Sequence, residues 1–90
     1  MIAFDMAQPI PRWLMEKYAT LFRKFKGKEF TFQQAMETIN EDDKIYVSLV
    51  LSELRKAGWL EIKINPQDAR RRIYTLFEPE EVVKKIEITA

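Results

Sequence analysis

Apolar side chains recur at helical spacing in some stretches of this chain and alternate strictly with polar ones in others. The first helical run is Trp13, Leu14, Tyr18, Leu21, Phe22 and Phe25, with Pro11 suited to a first turn and Arg23, Lys24 and Lys26 at the far end. This spacing predicts a helix that stops near Gly27, which would supply the C-terminal cap. Residues 28–32 alternate polar and apolar and predict a short strand. Thr31 with Gln34 three residues later has the pattern of a capping box, and Phe30 and Ala35 sit where a hydrophobic staple would place them. A short second helix follows, ending near Ile39. One acid of the turn Asn40, Glu41, Asp42, Asp43 would cap a third helix, from about residue 43 to 57. Val47, Val50, Leu51 and Leu54 fall on one stripe of that helix at 100° per residue, and Gly58 ends it.

Alternation takes over at Leu60. Leu60, Ile62 and Ile64 share one face of a strand at 60–64, a loop occupies 65–69, and a return strand at 70–77 separates Tyr74 and Leu76 from Arg71, Ile73 and Thr75. Pro79 opens a last helix over 80–87. The class is α+β. The order of elements, three helices with a short strand, a hairpin and a C-terminal helix, is that of a winged helix-turn-helix. Its expected parts are an extension at 1–10, a core at 11–77 and the last helix at 78–90.

The formal net charge of +1 conceals segregation. Residues 12–28 carry net +5, 29–53 net −5, 54–72 net +4 and 73–90 net −2. Such blocks point to faces with different partners, or to a solvated surface with internal ion pairs. With 47% hydrophobic and 12% aromatic residues the 90-residue chain can build one core. It has no cysteine and no histidine, so the commonest metal ligands and the commonest general base are missing. The acids sit at helix starts and on polar faces. These features predict a binding module, not an enzyme, with no metal and no cofactor. No run approaches the roughly 20 apolar residues of a membrane span, and residues 1–10 lack a basic n-region. A cytoplasmic location without membrane contact is the expectation.

The run Val47-Ser48-Leu49-Val50-Leu51-Ser52-Glu53-Leu54-Arg55-Lys56-Ala57-Gly58-Trp59-Leu60 resembles the recognition-helix segment of MarR-like and PadR-like transcriptional regulators. Asp68-Ala69-Arg70-Arg71-Arg72-Ile73-Tyr74-Thr75-Leu76 resembles their wing. The likeness covers about residues 12–77, and a narrower one, over 11–86, is to winged-helix modules of some toxin–antitoxin-type systems. It implies a regulator that binds double-stranded DNA, with the third helix in the major groove and the wing on backbone or minor groove.

On that reading Ser48 and Ser52 meet base edges, Leu49 and Ile45 touch thymine methyls, and Arg55, Lys56 and Lys44 reach phosphate. Arg70, Arg71 and Arg72 with Lys63 across the hairpin hold the backbone or minor groove, Arg71 being the best probe because it faces away from Tyr74 and Leu76. Asp68 either orients one of these arginines or simply shapes the turn. Thr31, Gln33 and Gln34 stand at a helix N-terminus that suits a phosphate, though capping also accounts for Thr31. Glu41, Asp42 and Asp43 would repel phosphate, and no arginine or asparagine occupies the first two turns of the recognition helix. Those departures keep open a protein–protein interaction module, antitoxin-like in one form, using the apolar outer face. Tyr46 and Trp59 are the aromatics near that face that an RNA ligand could stack on, although Trp59, directly after the helix cap, suits the core better. The aromatics of the first helix read as core and not as a ligand pocket. Met1, Ile2, Phe4, Met6 and Ile10, together with Val82, Val83 and Ile86, suggest a homodimer interface.

Overall fold

The inward stripe of the third helix is the centre of the structure. The computed structural model describes residues 7–89, with α1 (Arg12–Phe25), α2 (Phe32–Ile39), α3 (Lys44–Lys56), β1 (Leu60–Asn65), β2 (Asp68–Leu76) and α4 (Pro79–Thr89) in order. Val47, Val50, Leu51 and Leu54 are all buried, and they meet Leu14, Tyr18, Leu21 and Phe25 of α1 in one core. Burying a leucine such as Leu54 fully is worth about 1.5–3 kcal/mol, so the stripe fixes the rotational phase of α3. Leu54 is 0% exposed, whereas Leu49 on the opposite side is 46% exposed.

The local signals act where the sequence places them. The Thr31 hydroxyl accepts from the Gln34 amide at 3.2 Å, and Gln34 Oε1 accepts from the Thr31 amide at 2.9 Å. Phe30 and Ala35, the staple pair, are both buried. Asn40 closes α2 with a left-handed φ of 60°, a conformation asparagine tolerates better than most residues. Asp43 Oδ1 then accepts from the Ile45 amide at 2.9 Å and the Tyr46 amide at 3.3 Å, so it is the acid that caps α3. Glycine at the far end, Gly58, takes φ 85° and turns the chain into buried Trp59.

Three local expectations are corrected. The first helix ends on Lys26, which carries the positive φ of 52°, and not on Gly27. The strand expected at 28–32 shrinks to a single bridge, Phe30 with Tyr74, because Thr31 already belongs to the cap of α2. The loop expected at 65–69 is a two-residue turn. β1 and β2 pair antiparallel from Leu60 with Leu76 to Ile64 with Arg72, the register shifts, and Asn65 pairs with Asp68. Two Asx bonds hold that tip, Asn65 Oδ1 accepting from the Gln67 amide and Asp68 Oδ1 from the Arg70 amide.

The base of the hairpin is tied to the helices. Tyr18 donates its hydroxyl proton to the Phe77 carbonyl at 2.6 Å, and Trp59 Nε1 donates to the Gln8 carbonyl at 2.7 Å. Burial first, then the charges of Glu78 and Glu81, push the Tyr18 phenol up to about 12. Val82 of α4 is buried in the same core, Ile86 packs against it, and Ala7 is buried too. Part of the apolar surface that suggested a homodimer is therefore covered within one chain. Met1, Ile2, Phe4 and Met6 lie outside the described residues.

Candidate nucleic-acid interface

Strand alternation decides which arginines of the wing meet α3. Arg72 is in phase with Tyr74 and Leu76, the face that turns toward the helices. On α3, Ser48, Ser52 and Arg55 form the flank of the helix nearest the wing. A cleft of about 180 Å³ runs between them, lined by Ser48, Leu51, Ser52, Arg55, Ile62, Arg72 and Tyr74. Burial raises the Tyr74 phenol above its ordinary value, and the positive charge of Arg72 pulls it the other way. The floor of the cleft thus feels the guanidinium directly.

Arg55 and Arg72 take part in no ion pair among the described residues. Two uncompensated guanidinium groups beside two hydroxyls make a place for an anion with planar or tetrahedral oxygens. Arg71 differs. Its Nε lies 3.4 Å from Asp68 Oδ2 on the outer side of the wing, so Asp68 both shapes the turn and orients one arginine. Arg71 lies on the face away from Tyr74 and Leu76, as the alternation predicts, and is partnered there, whereas the inward phase belongs to Arg72.

The remaining candidates lie outside this cleft. Lys56 pairs with Glu53 at 3.5 Å on the outer face of α3, and Lys63 stands opposite Ile73 on the outer face of the hairpin. Arg70 is exposed at the wing tip, and Lys44 is exposed at the start of α3. Gln33 is exposed on α2 and donates to Glu37 Oε2 at 3.3 Å. Thr31 and Gln34 are committed to each other in the capping box. Tyr46 leaves the interface altogether: its ring lies 6.4 Å from that of Trp13 with Lys17 Nζ 5.8 Å from its centroid, so it packs toward α1. Trp13 in turn stands 40% exposed, since it lies about 100° around the helix from Leu14 and covers Tyr46 instead of entering the core.

One feature of the cleft escapes a reading by residue type. Ile62 and Tyr74 supply its floor, and only the pairing of these two residues across the hairpin shows that they do. The acids before α3 also change meaning. Asp43 is spent on the cap, where the helix dipole favours a negative charge, and Glu41 Oε2 accepts from the Asp43 amide at 3.3 Å. A second cleft, apolar and about 400 Å³, lies between α1 and α4 around Tyr18, Phe22, Trp59 and Val82. Tyr18 and Phe22 of the first helix therefore serve the core on one side and the cleft wall on the other, Phe25 is core, and Trp13 stands outside both. Among the described residues no helix is long and apolar enough to cross a membrane, and no three metal-ligating side chains cluster.

No protein-family model matches the sequence, and no curated protein matches it. Solved structures do share its architecture. The S. aureus MepR–DNA complex superposes with a TM-score of 0.60 at 18% identity, over 97% of this chain and 64% of that one. PcaV, a transcriptional regulator from Streptomyces coelicolor solved with its natural ligand, gives 0.61 at 18% identity over 97% and 60%. BpsR of Bordetella bronchiseptica gives 0.63 at 16% identity over 98% and 68%. The chain spans about 60% of the length of such proteins, which are MarR-family winged-helix regulators. At this level of identity the likeness establishes the architecture: the chain has the winged helix-turn-helix fold found in MarR-family regulators, with α2 and α3 as the helix-turn-helix and β1 and β2 as the wing.

Proposed function

We propose that this chain binds double-stranded DNA and serves transcriptional regulation, with α3 in the major groove and the wing on the backbone. The observation that carries this reading is the cleft in which Arg55 and Arg72, from different elements and in no ion pair among the described residues, stand beside Ser48 and Ser52. Cations so placed displace condensed counterions from phosphate and set the register of the helix in the groove. Lys63 and Arg70 extend the positive surface along the wing. Support comes from similar folds: MepR has been solved with DNA, and reduced AbfR has been solved bound to DNA. The chain acts as a binding module and performs no chemistry of its own.

Fluorescence anisotropy against mixed-sequence duplex DNA at about 50 mM and about 200 mM salt tests this reading, because phosphate contacts weaken steeply between those conditions. Steeply salt-dependent binding is expected. Absence of binding at the lower salt would overturn the proposal and favour a protein-interaction module, to which exposed Ile45 and Leu49 would then belong.

The same reading includes a homodimer, since two-fold symmetry lets a regulator read two half-sites. Its support here is the apolar cleft between α1 and α4, whose rim residues Met15 and Val83 remain exposed. Sedimentation at micromolar concentration should give a mass near twice 10.8 kDa. A monomer alone would remove the dimer without touching the DNA reading.

A further inference from the structure

The outer face of α3 is built in an order that charge does not explain. Opposite the buried stripe run Ile45, Leu49, Ser52 and Lys56, so its first half is apolar and its second half polar. Ile45 is 82% exposed, the most exposed large apolar side chain among the described residues, and Leu49 follows one turn later. Neither has a role in the core. Between Lys44 and Val50 there is no arginine, asparagine or glutamine, so this half of the helix lacks the bidentate groups that read guanine or adenine.

The only apolar group a base pair offers in the major groove is the C5-methyl of thymine. The charge on the neighbouring flank, and not on this face itself, names its occupant. The exposed pair lies on the helix whose flank carries Arg55, beside Arg72 in the cationic cleft, and that arrangement suits a polyanion. Resting on the DNA reading above, we propose that Ile45 and Leu49 select thymine by its methyl group. They are the specificity-determining residues of α3, and a 5-methylcytosine satisfies them in place of thymine. Four residues of helix advance about 6 Å, close to two base steps of about 3.4 Å, so the two side chains address methyls roughly two base pairs apart. Because an apolar side chain is indifferent to whether O4 or N4 stands beside the methyl, cytosine methylation at these positions strengthens binding.

Selection of bound duplexes from a randomised pool, followed by base substitution in a selected duplex, tests this. Selected sites should hold thymines at this spacing. Deoxyuridine in place of thymidine removes only the methyl and should weaken binding about fourfold per position, the equivalent of one buried carbon. Placing 5-methylcytosine there should restore affinity over unmethylated cytosine by a similar factor. Ile45→Ser should bind the thymidine and deoxyuridine duplexes more nearly alike, while Lys24→Ala, on α1, should still discriminate. Equal affinity of the wild type for both duplexes, or a selection without thymine preference, would overturn the methyl reading and leave DNA binding intact. A pool not retained even at low salt would overturn both and assign the face to a protein partner.

Discussion

In the proposed function, α3 and the wing divide the work of a DNA interface between them. The outward face of α3 begins with two exposed apolar residues and holds its one terminal cation, Lys56, in a pair with Glu53. The hairpin carries Lys63, Arg70, Arg71 and Arg72 within a few residues of its tip. The helix is rigid because its other side is core. The wing tip is held by two Asx bonds and a shifted register, and only its base is anchored, through Phe30, Trp59 and Tyr18. Rigid uncharged surface suits discrimination between bases, and exposed cationic surface suits affinity for phosphate. Arg55 is where the two meet, since it belongs to the helix but faces the wing.

The sharpest way to break this division is through the phase of α3. Leu54→Ala should destabilise the protein by about 2–5 kcal/mol, because the cavity cannot close around a residue buried among α1 and the hairpin. Leu49→Ala should change stability by no more than about 0.5 kcal/mol and act on sequence preference instead. Thermal or urea unfolding of the two variants checks this, and equal losses would show the outward face to be structural. A smaller effect follows at the start of the helix. Asp43→Ala removes two amide bonds of the cap and should cost about 1 kcal/mol. Asp43→Asn should recover most of that, since asparagine caps as well, while lowering the negative charge before α3 and tightening DNA binding.

A further effect concerns the base of the wing. Tyr18 is held protonated by burial and by Glu78 and Glu81, so its folded value of about 12 exceeds the ordinary 10. Between these values the folded state holds a proton that the unfolded state has lost. The stabilisation it contributes is whole below pH 10 and disappears as pH climbs toward 12. Unfolding midpoints measured across that window should decline in the wild type and decline less in Tyr18→Phe. Tyr74, also raised, keeps part of the decline in the variant. An identical slope in both proteins would detach Tyr18 from the wing.

Most of the fold was legible because its signals are local or periodic. The stripe from Val47 to Leu54, the Thr31–Gln34 capping box and Gly58 after α3 each need only a few neighbouring residues to be read. What was not legible depends on register and packing. Nothing local distinguishes Lys26 from Gly27 as the residue with positive φ, nor tells that the turn before Arg70 is two residues long. Three consecutive arginines look alike in sequence, yet pairing across the hairpin sends Arg72 into the cleft and leaves Arg71 with Asp68. Tyr46 likewise belongs to α1 through Trp13 and Lys17, which are some 30 residues away in sequence.

If Arg55 and Arg72 together hold phosphate, the salt dependence of binding must show it. In anisotropy titrations over a salt series, the double substitution Arg55→Ala/Arg72→Ala should lower the slope of log affinity against log salt by about 1.8, or about 0.9 per contact. Lys24→Ala on α1 removes a charge outside the cleft and should leave the slope unchanged. A double variant with the affinity and slope of the wild type would show that neither arginine holds phosphate.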